Sequence, residues 1–311
     1  MGFDRDALIA ACRARPRVAR VVVAQVRGSA PREVGAAMLV WADGQSGTIG
    51  GGTLEHDLTL AARALLGTGG DRLTRHALGP DMGQCCGGAV QVLTEVYDLE
   101  RAQALAADLI ARGPGPEPLA VTRIRAQARG TGQLPDPRLI DGWMVEPVAR
   151  RDRAIWIWGA GHVGRALVDV LAPLPDVAIT WIDSDSARYP ETIPHGVTQL
   201  PAADPAMLVR HAPAQAEHLI VTYSHALDLA LCHALLGHGF GFAGLIGSAT
   251  KWARFRNRLR DLGHSDAQIA RITCPIGHPE LGKHPHIIAI GVAQDLLSLA
   301  QTPQRNMSSL A

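Results

Sequence analysis

Gly159-Ala160-Gly161-His162-Val163-Gly164 follows the short apolar run Ala154 to Trp158, and the pattern beyond it reads as a helix from His162 to Leu171. That context gives the glycine spacing its meaning. Gly159 permits a tight turn, Gly161 lets backbone come close to a pyrophosphate, and Gly164 allows the helix to sit tightly on the strand. Unpaired amides at the start of the helix, around His162, face an anion placed there. The next apolar run, Val177 to Ile182, ends on Asp183, which follows Gly164 by 19 residues, where a carboxylate can accept from a ribose hydroxyl. The same glycines also serve wherever strand, turn and helix only need to pack. The turn therefore decides a Rossmann-like fold and leaves its ligand open.

Working outward, Gly196 to Leu200, His218 to Thr222 and Phe242 to Ile246 supply further strands. Helical stretches such as Leu227 to Leu236 lie between them, and Ile287 to Ala300 closes the pattern. Apolar strands alternating with helices predict a parallel sheet covered on both faces. After the His218 strand, Ser224-His225 stands where the carboxyl ends of such strands form a crevice, with Asp228 one turn later. His225 could face a ligand there, or Ser224 could cap a helix with His225 on the surface.

The chain before residue 151 reads differently. A helix from Phe3 to Arg15 precedes two β-branched runs, Val18 to Val26 and Ala36 to Trp41. Thr53 to Leu66 reads as a helix and Ala89 to Tyr97 as a strand. The expected architecture is α/β overall, with a smaller mixed α+β domain over 1–98 and a Rossmann-like domain over 151–311. Between them, 99–150 reads as a partly structured connecting segment. It holds a helix from Leu99 to Arg112, strand-like pieces at Leu119 to Ile124 and Trp143 to Val148, and Gly/Pro-rich punctuation.

Three glycine-rich elements fall within the first domain. Gly28-Ser29-Ala30-Pro31-Arg32 offers a hydroxyl and a guanidinium fork to a phosphate. Gly50-Gly51-Gly52 opens a helix whose early residues include Glu55, and exposes backbone donors to an anion. Gly83-Gln84-Cys85-Cys86-Gly87-Gly88 sets two adjacent thiols beside bare backbone. Cys85 and Cys86 could be metal ligands, a nucleophile pair or soft contacts to a sulfur-rich ligand. Structural zinc would need more ligands, and redox exchange favours Cys-x-x-Cys spacing. His56 and His76 show no ligand spacing.

Composition excludes several classes. The 311 residues are 47% hydrophobic, with 30 basic and 29 acidic side chains, so no polybasic nucleic-acid surface is expected. Aromatic residues make up 4%, too few for base-stacking platforms. Apolar stretches fall short of the roughly 18 residues of a membrane span. Met1 to Arg20 has no signal-peptide core, and the five cysteines are odd in number and mostly scattered. A cytoplasmic protein with reduced thiols is expected.

These motifs, in this order, resemble the XdhC/CoxI family of xanthine dehydrogenase accessory proteins, and the XdhC type most closely. The resemblance also runs through Gly35-Ala36-Ala37-Met38, Leu245-Ile246-Gly247-Ser248 and Cys274-Pro275-Ile276-Gly277 ahead of Gly282-Lys283. The chain departs from the usual pattern at Thr53 and at His278. The resemblance implies a carrier and not a turnover enzyme. Such a carrier binds the molybdenum cofactor, protects it during sulfuration by a cysteine desulfurase, and delivers it to apo xanthine dehydrogenase. Gln84, Cys85 and Cys86 match the motif tied to the cofactor, with Cys85 and Cys86 as candidate contacts to molybdenum. A cofactor-biosynthesis enzyme is a further implied partner, and a homodimer is expected. A carrier must release, so affinity near micromolar is expected, on the order of −8 kcal/mol. The alternative is an NAD(P)-dependent oxidoreductase using Gly159, Gly161, Gly164 and Asp183, or a nucleotide there that regulates transfer.

Overall fold

The computed structural model describes residues 2–79 and 87–301. The chain divides into two compact units, one running to Arg150 and one starting at Arg151.

The first unit runs α1 (Arg5–Ala14), β1 (Val18–Arg27), β2 (Ala37–Trp41), β3 (Gly44–Gly47), α2 (Gly52–Thr68), β4 (Asp71–Ala77) and β5 (Ala89–Tyr97). It continues with α3 (Leu99–Gln103), β6 (Leu109–Arg112), α4 (Leu119–Thr131), β7 (Arg138–Ile140) and β8 (Trp143–Pro147). Five strands form an antiparallel sheet in the order β3-β2-β1-β5-β4, and three more form a second sheet in the order β6-β8-β7. Alternation along β1 sorts its side chains between two faces. Ala19, Val21 and Val23 pack with Leu54, Leu58 and Ala62 of α2. Val22 and Ala24 turn the other way and meet Met144 of β8. Each large aliphatic buried in this way stabilises the fold by roughly 1.5–3 kcal/mol.

Arg20 lies on that second face and is 2% exposed. Its guanidinium donates two hydrogen bonds to Glu146 of β8, at 3.0 and 2.7 Å. Arg112 of β6 donates to Glu146 as well and, at 2.6 Å, to Glu95 of β5. Burial opposes ionisation of Glu146, but Arg20 and Arg112 more than offset it and hold the carboxyl below its ordinary range. Two guanidinia and two carboxylates thus bolt the small sheet onto the large one.

Two sequence expectations fail here. Leu99 to Arg112 does not form one helix: α3 stops at Gln103, and Leu109–Arg112 is a strand paired with β8. Helix-favouring alanines lose to strand pairing, which sets Arg112 on the two carboxylates. Leu119 to Ile124 is not a strand but the first half of α4, which ends at a left-handed Gly132. Val121, Ile124 and Ala128 fall on one side of that helix and join one cluster. The short apolar piece read as strand-like has helical spacing once the segment is extended to Ala128. The strands β3, β4 and β7 were not expected either; β4 is a mostly polar edge strand.

The second unit runs β9 (Arg153–Trp158), α5 (His162–Leu171), β10 (Val177–Asp183), β11 (Val197–Pro201), β12 (Glu217–Ile220) and α6 (His225–His238). Then come β13 (Phe242–Leu245), α7 (Ala249–Asp261), α8 (Asp266–Ile269), β14 (Ile272–Thr273) and α9 (Pro285–Gln301). Its six strands are parallel in the order β11-β10-β9-β12-β13-β14, the doubly wound order expected of a Rossmann fold. Ile155 and Ile157 of β9 face a core with Leu167 and Leu171 of α5 and Val292 and Leu296 of α9. Trp156 and Trp158 face the opposite core, with Leu231 and Leu235 of α6 and Phe255 and Leu259 of α7. The parallel sheet covered on both faces is as expected.

His218 is fully buried in this second core, where Trp158 Nε1 donates to its Nδ1 at 3.2 Å. Burial, aided by His238, pushes its pKa down to about 3. The folded state therefore keeps His218 neutral, while the unfolded chain takes up a proton near the usual value. The resulting stability is complete above about pH 6.5 and falls as pH drops from there toward 3, by about 1.4 kcal/mol per unit. Urea denaturation of the second unit should show a loss of roughly 2 kcal/mol between pH 6.5 and pH 5, and His218→Asn should flatten that slope.

Removing Glu146 would strand two buried guanidinia. Glu146→Ala should cost the first unit roughly 3–5 kcal/mol in urea denaturation, and Glu146→Gln somewhat less.

Candidate functional site

The glycine-rich elements of the first unit meet at one end of its large sheet. Gly88 lies against the Gly28-Ser29 turn so closely that a Cβ on it would sit 2.1 Å from the Ser29 carbonyl oxygen. Ser29 and Gly87 form a backbone bridge, and Gly28 holds a left-handed φ of 73° that suits glycine. On the other side, a Cβ on Gly50 would fall 2.5 Å from Pro31. Gly28-Ser29 and Gly88, some 60 residues apart, are therefore held backbone against backbone, and only glycine at 88 allows it.

Electrostatics within the loop are arranged by Glu55. Its carboxylate accepts from the amides of Ile49 (2.9 Å) and Gly51 (3.0 Å) and from the Thr48 hydroxyl (2.5 Å), with Gln45 on the second oxygen. Gly50 donates to the Thr48 hydroxyl at 3.0 Å. Burial raises the Glu55 carboxyl, but the hydrogen bonds from Thr48, Gly51 and Ile49 outweigh it and leave the group below its ordinary range. Glu55 thus holds the loop from inside. Arg32 forks onto its neighbour Glu33 at 3.3–3.4 Å, and Ser29 is exposed.

Open backbone remains at two of the glycines. A Cβ at Gly51 or Gly87 would meet nothing within 4 Å among the described residues, although both have left-handed φ. Beside Gly52 and Glu55 lies a cavity of about 240 Å³, lined also by Gln45, His56, Thr59 and Arg63. Gln84, Cys85 and Cys86 lie outside the described residues, directly before Gly87-Gly88 in the chain. The free cysteines among the described residues offer no ready thiolate: burial pushes Cys12 and Cys274 each up to about 11, and Cys232 higher. Among the described residues no group of His, Cys, Asp and Glu could hold a metal ion.

In the second unit, the glycine turn has the expected geometry. Gly159 has φ 120° and presses on the Val221 carbonyl, while a Cβ on Gly164 would fall 1.9 Å from the Gly159 carbonyl oxygen. Gly161 alone of the three faces open space, and His162 is exposed at the start of α5. Asp183 closes β10 and is engaged within the turn. It is 4% exposed, accepts from the Ala160 and Ser184 amides, and pairs with Arg188 at 2.8 Å. The Arg188 guanidinium then lies over the Tyr223 ring at 4.4 Å. The space enclosed by Gly159, Asp183, Thr222 and Tyr223 has no room for a water-sized sphere.

Ser224 caps α6 by accepting from the Leu227 amide, and His225 is exposed with its ring edge-on to Phe255. Beneath it lies a group that sequence reasoning missed. Lys251 of α7 reaches back to Asp228 at 2.6 Å and to the Ile246 carbonyl at 2.9 Å, and the Thr222 hydroxyl donates to the same carboxylate at 2.6 Å. Asp228 is fully buried, so this ion pair fills the part of the sheet end beside β12 and β13. A Lys three residues after the α7 cap Ser248 was the available signal, but nothing in the spacing tied it to Asp228.

A family model described as the XdhC Rossmann domain matches residues 155–296, and another, described as the XdhC and CoxI family, matches residues 11–77. The Escherichia coli K12 protein YqeB, itself uncharacterized, is 27% identical over 279 residues, which span 88% of this chain and 42% of YqeB. The chain thus spans less than half the length of that relative. A Bacillus halodurans protein, whose crystal structure is described as that of a xanthine dehydrogenase, superposes with a TM-score of 0.69 at 20% identity. The match covers 99% of this chain and 98% of that one and marks a shared fold through both units. With one family model lying in each unit, in the order in which the units occur, the chain belongs to the XdhC and CoxI family.

Proposed function

We propose that this protein is a carrier for the molybdenum cofactor, which it holds during sulfuration by a cysteine desulfurase and hands to apo xanthine dehydrogenase. The observation that carries the reading is the convergence of Ser29, Gly50–Gly51 and Gly87–Gly88 on one spot, with Gln84-Cys85-Cys86 leading directly into it. The cargo brings a phosphate, a hydrogen-bonding pterin and a sulfur-ligated metal. Open space beside Gly51 and Gly87 suits close approach of the pterin, and Arg32 and Ser29 at the rim supply donors to the phosphate, since the Gly51 amide is already held by Glu55. Cys85 and Cys86 are assigned to the metal's sulfur-rich side, since thiolates favour soft partners.

Family membership supports an accessory role in xanthine dehydrogenase maturation. A cofactor-biosynthesis enzyme is the proposed donor and a homodimer the proposed working form. No turnover chemistry is assigned to the chain. The cytoplasm is its proposed location; among the described residues, no helix is long and apolar enough to cross a membrane. Asp183 bound to the Ala160 amide, and Arg188 lying over Tyr223, weigh against a dinucleotide in the second unit.

Anaerobic incubation with free molybdenum cofactor followed by gel filtration should give molybdenum and pterin co-eluting near one per chain. A folded Cys85→Ala, Cys86→Ala double variant should lose most of both; undiminished content would remove the thiols from the mechanism. Glu55→Ala should leave the amides of Ile49 and Gly51 without their acceptor. It should weaken cofactor retention about tenfold or more while lowering the stability of the unit by only about 1–3 kcal/mol. Cofactor content and urea denaturation, measured on one preparation, separate the two effects.

A further inference from the structure

Helix α4 carries Arg123, Arg125 and Arg129 and no acidic residue. Arg125 and Arg129 stand one turn apart on the same side, a spacing at which like charges repel. Both line a cavity of about 510 Å³ in the first unit, and Asp108 and Arg150 are the other charged residues of its wall. Its floor is apolar: Leu109 and Ala128 are buried and pack in one cluster with the partly buried Leu134. A backbone hydrogen bond from the Val148 amide to the Asp108 carbonyl, at 2.8 Å, ties together the two stretches that bring Asp108 and Arg150 to the wall.

The guanidinia are open to a guest. The Arg125 side chain is 33% exposed; its Nε is buried and faces Glu117 Oε2 at 3.4 Å, while its two Nη groups make no hydrogen bond among the described residues. Glu117 is itself fixed, because its other oxygen accepts from the Thr122 hydroxyl at 3.2 Å. It braces Arg125 by the Nε side and leaves the forked end free. Arg129 is exposed and has no hydrogen bond or ion pair among the described residues. Arg150 donates to Asp108, and their side chains keep 51% and 67% of their surface in solvent. Three guanidinia thus meet one carboxylate in the wall, and counting Glu117 as well still leaves one positive charge in surplus. That surplus suits an anion. Guanidinium forks take phosphate oxygens in pairs, and a phosphoryl group presents three such oxygens to a carboxylate's two. The apolar floor suits an organic body. We propose that this cavity binds a small phosphate monoester, its phosphoryl group on Arg125 and Arg129 with Arg150 beside them, and its body on Leu109, Ala128 and Leu134. The site uses none of the glycine-rich loops and does not rest on the carrier reading.

Phenyl phosphate, an apolar ring with a phosphoryl group, is the probe, titrated into the full chain and followed by ligand-observed NMR. A Kd below about 1 mM is expected, with phenol and inorganic phosphate each bound at least tenfold more weakly. Arg129→Gln, at an exposed position with no bond to lose, should weaken binding at least tenfold with an unchanged melting temperature. Arg123→Gln, on the same helix but outside the cavity lining, should leave binding as it was. No binding to the folded wild-type chain would overturn the proposal. Equal affinity for phenol or for inorganic phosphate would overturn it too, as would binding that survives Arg129→Gln or falls equally in both arginine variants.

Discussion

At Gly88 and at Gly164 the chain passes so near another stretch of itself that one added carbon would lie about 2 Å from a carbonyl oxygen. Neither contact is a hydrogen bond or an ion pair; each is an exclusion. The Gly88 contact lets β5 begin beside the Ser29 turn, which brings the loops of the first unit into one place. The Gly164 contact seats α5 on β9 and so sets the spacing of the doubly wound sheet. Alanine's single methyl group is larger than either gap, so the architecture of both units depends on glycine where it touches itself.

Charge does the corresponding work between the sheets of the first unit. Arg20 and Glu95 are opposite one another in the β1–β5 register, and Glu146 and Ile110 in the β6–β8 register. Two sheets that meet in apolar contacts around Met144 and around Ile110 are thereby locked in one relative position. Buried ion pairs are poor sources of stability but effective at excluding other registers, because a slipped sheet would bury four unpaired charges. This gives residues 99–150 a structural duty as part of the first unit.

Much of this was legible in the sequence, and the exceptions have physical reasons. The second unit could be read because buried parallel strands are nearly continuous apolar runs and the glycine turn fixes where the first helix starts. The converging loops could be suspected from three glycine clusters in one short domain, but their contact could not, because Gly88 meets Ser29 across 59 residues of sequence. Leu99 to Arg112 misled because local propensity favoured helix while Arg112 was required on a strand. Asp183 could be placed at the end of β10 from the apolar run before it, but its contacts with the Ala160 amide and Arg188 could not. Lys251 and Asp228 were beyond reach, since an ion pair between two helices leaves no period in the chain.

One further consequence concerns timing. A phosphate-type loop commonly takes its shape from the anion it holds and slackens without it. Here Glu55 sits permanently among the loop's amides, so the ordering entropy is met when the chain folds and not when a visitor arrives. A loop held in this way has its conformation set by the fold itself. Any guest of such a loop would enter without a refolding step.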